Sequence, residues 1–358
     1  SALFAALLRA QPGGYAAHLD TGEGLQMLSV SPELFLDWQS PADGSGRVLS
    51  RPMKGTAPRG DTPDEDAERA QQLQASPKER TENRLAAELL QTELERIAVP
   101  GSACVTRRYA LQALPTVWQM VSDVQADSRP GTRLWDLLAA LFPGASITGT
   151  PKAAAMRAIR DLEPERRGVY CGALGVLRPA PALGPGSLAA TFNLPIRTLE
   201  LQGDRLRCGI GSGITAQATP DAEWNEWLAK CGFLDRASAP FELLETLALE
   251  DGRLRHGDEH LQRLARAARH FGYPWPEDRV LQQLQALCTQ HPQGLWRLRL
   301  LLDARGELRT DIQPLSDTRL PVRLVLARQP LAEAGSEWVR YKTTRRAHYA
   351  ALAPAPGS

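Results

Sequence analysis

Two pairs of glutamates open the case for chemistry in this chain. Glu79 and Glu82 lie three residues apart, and so do Glu223 and Glu226. On a helix that spacing puts both side chains on one face. Two such faces turned toward each other would gather hard oxygen donors, a set that suits Mg2+ with waters and a bound anion. A single Glu-x-x-Glu is ordinarily solvated helix surface, and Glu79 also completes a capping box begun at Ser76, so the pairs need company. The main chain supplies it. The stretch GIGSGIT, 209–215, alternates glycines, so the amides around Gly211 and Gly213 can approach a carboxylate closely. The stretch SITGTPK, 146–152, puts Gly149 and Thr150 at a helix start, where free amides and the helix dipole favour an anion. Arg197, in LPIRTLEL, falls in an expected strand; pointing inward, an arginine clamps a carboxylate through two parallel hydrogen bonds. Finally SRPMKGTAPRG, 50–60, holds Lys54 between two arginines in what would otherwise be a solvated basic turn.

These groups need a scaffold, and the pattern predicts one. Residues 14–50 read as a meander of short strands, with alternation in YAAHLD and LQMLSV and turns at TGEG and QSPADGSG. Helical periodicity takes over at 63–97, with Ser76 as cap, Pro77 at the first helical position, and a buried stripe of Leu85, Leu89, Leu90, Leu94 and Ile97. SACVTRRYAL returns to strand. TRLWDLLAALF is a helix stopped by Pro143-Gly144, and GTPKAAAMRAIRDL another, with Thr150 as its cap. Strands follow at about 171–178, 189–201 and 204–210, then a helix, TPDAEWNEWLAKCG, closed by Gly232. DRASAP, 235–240, reads as a linker between a first domain, 1–234, and a second, 241–358. In the second, DEHLQRLARAARHFG is a basic amphipathic helix, WRLRLLLDARGELRTDI a hairpin around Arg305-Gly306, PVRLVLA a strand, and LAPAPGS a disordered tail.

Bulk properties narrow the function. A 358-residue chain with 43% hydrophobic and 23% charged residues is ordinary globular material. A net charge of +1 offers no general attraction to nucleic acid or to an anionic membrane, although a few local arginines can still hold a small anion. No apolar run approaches the roughly 20 residues that span a bilayer. The five cysteines, Cys104, Cys171, Cys208, Cys231 and Cys288, are dispersed, without a CxxC pair, which points to reduced thiols in a cytoplasm. The start, SALFAALLRAQ, has no basic leader region and no Met, and is expected to lie inside a longer protein.

In order, SPELFL (31–36), SRPMKGTAPRG (50–60), SPKERTEN (76–83), QMVS (119–122), LFPGASITGTPKAAAMRAI (141–159), EPERRGVYCGALG (163–175), IRT (196–198) and GIGSGITAQATPDAEWNEWLAK (209–230) resemble the chorismate-utilising enzymes. That family includes anthranilate, aminodeoxychorismate and isochorismate synthases. The resemblance implies an α+β fold, with two antiparallel sheets and helices outside. It implies Mg2+ held by Glu82 and Glu226, with Glu79 and Glu223 close behind, and chorismate's ring carboxylate clamped by Arg197, Tyr170 and the amides around Gly211 and Gly213. Gly149 and Thr150 would line the same pocket. Anthranilate synthases resemble PIAGT where this chain has Pro52-Met53-Lys54-Gly55-Thr56, and aminodeoxychorismate synthases resemble PIKGT. In that second branch the lysine adds at C2 of chorismate as the C4 hydroxyl leaves, and ammonia then enters at C4. An amine attacks only when neutral, which a desolvated pocket beside a divalent cation favours. Glu33 would be the general acid for the departing hydroxyl. Ammonia would come from a glutamine amidotransferase subunit, because no Gly-x-Cys-x-Gly turn occurs here. Two other readings stand beside this one: an anthranilate synthase component I, and a non-catalytic fragment that binds chorismate or a partner.

The chain departs from the family where MIVDLxRND is usual. Glu88 stands for the first aspartate, Gln91-Thr92-Glu93 replace Arg-Asn-Asp, and Gln119 stands where related enzymes have histidine. Family members also carry further residues before the equivalent of Ser1. In the second domain, FELLETLALEDGRLRHGDEHLQRLARAARHFG (241–272) and YKTTRRAHY (341–349) resemble fold-type IV pyridoxal-phosphate enzymes such as aminodeoxychorismate lyase. The resemblance implies an incomplete α+β module with Lys342 as the imine lysine and Arg263 as a phosphate contact. The partner of the pyridinium nitrogen and a second phosphate turn come later in that family, so no lyase activity is expected of this chain.

Overall fold

In the computed structural model, described over residues 2–60, 63–114, 117–215, 218–238, 240–315, 331, 334 and 336–352, the expected meander does form strands, but they divide between two sheets. The chain separates into two compact units after Ser238. The first contains α1 (Ala2–Ala10), β1 (Tyr15–Asp20), β2 (Leu25–Ser31), β3 (Leu34–Ser40), β4 (Gly46–Arg51), β5 (Met53–Pro58), α2 (Pro63–Ala75) and α3 (Pro77–Glu95). It continues with β6 (Cys104–Ala113), β7 (Val117–Ser128), α4 (Leu134–Leu141), α5 (Ala145–Thr148), α6 (Lys152–Leu162), β8 (Leu174–Pro179), β9 (Leu188–Asn193), β10 (Thr198–Gln202), β11 (Arg205–Cys208) and α7 (Pro220–Ser238).

The smaller sheet has the order β1-β2-β10-β11; the larger runs β5-β7-β4-β3-β9-β8, with β6 also on β7, and all pairs are antiparallel. Each sheet buries one face against helices. Trp38, Val48, Val124 and Ala190 of the larger sheet pack on Ala87 and Leu94 of α3 and Leu137 and Leu141 of α4. Leu28, Val30 and Leu199 of the smaller sheet pack on Leu7 of α1 and Phe233 and Ala237 of α7.

The same packing corrects two expectations. α7 does not stop at Gly232 but runs to Ser238, so the linker expected at 235–240 is helical over its first four residues. A mid-helix glycine costs about 1 kcal/mol, whereas burying a large apolar side chain such as Phe233 returns roughly 1.5–3 kcal/mol. In α3 the expected stripe is also shifted: Leu85 is exposed, while Asn83, Ala87, Glu93 and Leu94 are buried. Asn83 takes the inward position because it bridges three partners, donating to the Lys54 and Met120 carbonyls (both 3.2 Å) and accepting from Ser122 Oγ. The Ser76 cap is present, its hydroxyl accepting from the Glu79 amide at 3.4 Å.

The second unit contains β12 (Leu243–Glu250), β13 (Arg253–Leu254), α8 (Gly257–Phe271), α9 (Glu277–Gln290), β14 (Leu295–Leu302), β15 (Leu308–Pro314) and a short α10 (Glu337–Arg340). Its antiparallel sheet has the order β13-β12-β14-β15, the last two forming the expected hairpin. Helix α8 ends at Gly272 in the left-handed region (φ 68°), as its sequence predicts. The expected strand PVRLVLA and all but the first residue of the tail LAPAPGS lie outside the described residues.

Candidate active site

The chain passes between the two sheets of the first unit at two neighbouring points, and both carry candidate residues. β2 leaves the smaller sheet at Ser31, and β3 enters the larger at Leu34; Glu33 lies in the crossing. β9 leaves the larger sheet at Asn193, and β10 enters the smaller at Thr198; Arg197 lies in that crossing. Hydrogen bonds tie the crossings together. The Leu194 amide donates to the Glu33 carbonyl at 3.1 Å, and Ser31 Oγ donates to the Leu194 carbonyl at 2.5 Å. Arg197 is therefore not a mid-strand residue, as its pattern suggested. It ends a connector in the left-handed region, φ 50°, an uncommon conformation for a side-chain-bearing residue.

Glu33 is only 7% exposed. Burial drives its carboxyl up to about 7, against the opposing charge of Lys54 and hydrogen bonds from the Met53 amide and the Ser146 hydroxyl. A carboxyl with that affinity can give or take a proton near neutral pH. Lys54, on β5, faces both Glu33 and Glu79 electrostatically. A methyl group placed on Gly213 would lie 3.2 Å from Lys54 Nζ, so the glycine loop and the lysine share one space. Asn83 holds the Lys54 carbonyl, and Gln119, the histidine position of related enzymes, donates to the Gly55 carbonyl at 2.9 Å.

Arg197 has the complementary property. Burial alone pulls its guanidinium down to about 10, and its Nη1 is a buried donor without a hydrogen-bond partner. A buried cation with an unmet donor calls for an anion. Tyr170 lies flat against Gly209, where any Cβ would come within 2.3 Å of its ring, and its hydroxyl is 3.0 Å from the Cβ position of Gly211. Burial raises the Tyr170 hydroxyl well above its ordinary value, so it stays a proton-bearing donor. Gly209 is thus required by contact distance, whereas a side chain at Gly211 would need the Tyr170 hydroxyl to give way slightly.

The acidic residues converge in part. Burial first, then the charges of Glu82 and Glu226, raises the Glu79 carboxyl. Glu79 therefore feels both Glu82 and Glu226 as like charges, and a divalent cation held near it would relieve that repulsion. Among the described residues no three carboxylate, histidine or cysteine side chains close into a metal-holding group. Glu226 instead pairs with Lys230 at 2.6 Å, and Glu223 accepts from the Ser212 hydroxyl. Gly149 closes α5 at φ 121°, donating to the Ala145 carbonyl at 2.9 Å. Thr150 is exposed and is not the cap expected of it; α6 begins at Lys152 with Pro151 ahead of it. No described contact joins Gly149 or Thr150 to Lys54 or Arg197.

Other side chains built into the site escaped the sequence reading. Lys230 donates to the Gly211 carbonyl at 2.9 Å and adds positive charge felt at Glu33. Its place four residues after Glu226 was the available signal. Lys152 pairs with the buried Glu93 at 2.6 Å, so Glu93 of the departing Gln-Thr-Glu run anchors the start of α6, while Gln91 donates to the Ala103 carbonyl at 3.0 Å.

The second unit has its own buried cluster. Glu245, 1% exposed, accepts from Arg263 Nε (2.5 Å) and Nη2 (2.6 Å), and lies 2.8 Å from His260 Nδ1 and 3.8 Å from Lys342 Nζ. Burial would raise this carboxyl, but Arg263 and His260 outweigh it and hold it below its ordinary value. Burial also lowers the Lys342 ammonium, against the attraction of Glu245. Lys342 and Arg263 are therefore together, as expected. Arg263 spends Nε and Nη2 on Glu245, which leaves Nη1 as the nitrogen it could turn toward a phosphate, beside a buried carboxylate of the phosphate's own sign.

Comparison with known proteins fits this geometry. The chorismate binding enzyme family matches residues 1–236, and the class IV amino-transferase family matches residues 242–356. The chain is 36% identical over 227 residues to aminodeoxychorismate synthase component 1 of Salmonella typhimurium, covering 63% of this chain and 47% of that protein. It is equally 36% identical over 227 residues to an anthranilate synthase component 1 of Haloarcula marismortui, covering 63% and 42%. It thus spans about half the length of the curated relatives it matches. An isochorismate synthase of Bacillus anthracis, specific for 2,3-dihydroxybenzoate, superposes with a TM-score of 0.55 at 27% identity, over 66% of this chain and 61% of that one. No described helix is long and apolar enough to cross a membrane. With its two-sheet fold, its buried acid and bare arginine at the crossings, and a family match over 236 of its 358 residues, the chain belongs to the chorismate binding enzymes.

Proposed function

We propose that the first unit aminates chorismate at C4 to give 4-amino-4-deoxychorismate, the precursor of 4-aminobenzoate in folate synthesis. The observation that carries this reading is Lys54 beside the buried acid Glu33 and the loop at Gly213. An anthranilate-type site has alanine there and no amine to attack. Arg197, Tyr170 and the Gly211–Gly213 amides bind the ring carboxylate, with Gly149 and Thr150 further along the pocket. Lys54 Nζ forms a bond to C2 while the C4–oxygen bond breaks; Glu33 gives its proton to that oxygen, which leaves as water. Ammonia then bonds to C4, and the C2–nitrogen bond breaks as Lys54 departs. The nitrogen loses one proton in all, and that proton restores Glu33.

Glu82 and Glu226, with Glu79 and Glu223 behind them, are the hard-oxygen donors that would hold Mg2+. The ion would supply positive charge for the substrate's carboxylates and lower the repulsion that raises Glu79. Two relatives are named as components of two-part enzymes, and we place a glutamine amidotransferase as the ammonia-supplying partner. The five free cysteines suit a reducing cytoplasm.

The test is product analysis by mass spectrometry with chorismate, Mg2+ and excess ammonium. The parent chain is expected to give aminodeoxychorismate, and Lys54→Ala to lose at least about a thousandfold in rate, as removal of a nucleophile does. Anthranilate from either protein would assign the chain to the sister reaction. Chorismate bound but never consumed would make it a binding fragment.

A further inference from the structure

The loop that follows β11 has glycine at 209, 211 and 213 and no regular structure of its own over 209–215. Left free, such a segment would lose much conformational entropy on gripping a carboxylate. Helix α7 removes that freedom. Ser212 Oγ donates to Glu223 Oε2, and the Trp227 indole donates to the same Ser212 oxygen at 2.7 Å. Glu223 and Trp227 are four residues apart, on one face of the helix, and the helix is fixed at its far end by buried Phe233 and Ala237. The hydroxyl of Ser212 therefore spends its proton on Glu223 and a lone pair on Trp227.

We infer that Ser212, Glu223 and Trp227 form a latch that holds the Gly211–Gly213 amides in place for the substrate carboxylate. Ser212 and Trp227 are then positioning residues, and Glu223 ties the loop to the helix that also carries the metal donor Glu226. The inference rests on the carboxylate-binding role proposed above for these amides. Preorganisation acts on affinity, so its loss appears in binding and not in the chemical step.

Steady-state kinetics with chorismate, ammonium and Mg2+ test it, beside hydrogen-exchange mass spectrometry of 209–215. Ser212→Ala and Trp227→Phe should each raise KM for chorismate roughly tenfold and leave kcat within about twofold, the range expected when a fixed loop is released. The double variant should do no worse than the worse single one, since both break the same latch. Ser212→Thr keeps the hydroxyl and should restore KM. A fall in kcat at constant KM in Ser212→Ala would overturn the latch. If the parent does not turn chorismate over, the amination reading fails by itself. Exchange then decides the latch alone: faster exchange at 209–215 in Ser212→Ala supports it, and unchanged exchange sinks it.

Discussion

Each unit of this chain buries a carboxylate next to a lysine, and the two carboxylates behave oppositely. Glu33 meets a hydroxyl, an amide and the charge of Lys54, and stays at about 7. Glu245 meets two guanidinium nitrogens and a histidine, and is held below its ordinary value. Both are under a tenth exposed, yet Glu33 is the more deeply enclosed by protein. The donors differ as well. Charged donors that hydrogen-bond a carboxylate directly can offset its desolvation, whereas neutral donors and a charge acting without a hydrogen bond do so only in part. The under-compensated carboxyl is a proton carrier near neutral pH. The over-compensated one is a hub that orders Arg263, His260 and Lys342 around it.

The sharpest way to break this comparison is to make the same change in both units. Glu33→Gln should cut chorismate turnover by about 10²–10⁴, the usual worth of a general acid. Glu245→Gln should leave that turnover within about twofold. Stability should move the other way. Glu33 binds its proton more tightly folded than unfolded. Its contribution is therefore neutral below about pH 4.5 and turns unfavourable as pH rises to about 7, where the penalty levels off. At pH 8, Glu33→Gln should stabilise its unit by on the order of 3 kcal/mol. Glu245→Gln should destabilise its own unit by about 2 kcal/mol, less than for a fully buried pair because Arg263 can turn toward water. Hydrogen exchange in β3 and β12 reads the two units separately. Matching signs would end the distinction.

The same contrast fixes a pH dependence. As the proposed donor, Glu33 can serve only while protonated, so kcat/KM should fall as pH rises through about 7, with most of the change between about pH 6 and 8. The residual rate of Glu33→Gln should lack that limb. A limb of equal position in both proteins would assign the titration elsewhere.

Much of this site was readable because its chemistry is carried by local motifs. Glu33, Lys54, Arg197 and the glycine loop each sit in short stretches whose types imply a carboxylate, an amine or exposed amides. What could not be read was which strands share a sheet. YAAHLD and LFLDWQS look like one meander, yet Pro32-Glu33 carries the chain from one sheet to the other. The pattern across 189–201 likewise hides the break that turns Arg197 inward. Tertiary contacts also moved boundaries: Phe233 and Ala237 carried α7 through Gly232. In the second unit Lys342 and Arg263 do lie around one carboxylate, but Glu245 between them was invisible, because ion pairs across a sheet–helix contact leave no sequence period.

Asn83 offers the smallest and finest test. Periodicity asks for an apolar residue there, yet its amide satisfies the carbonyls of Lys54 and Met120 and the hydroxyl of Ser122. Asn83→Ala removes all three partners in the interior and should cost about 1–3 kcal/mol of stability. If its role were packing alone, turnover of the folded fraction would be unchanged. Because one of those carbonyls belongs to Lys54, kcat should fall severalfold at constant KM for chorismate, while Asn83→Asp, which lacks the amide donor, should behave like alanine. A variant that unfolds more easily yet turns over normally would show that β5 holds Lys54 without help from α3.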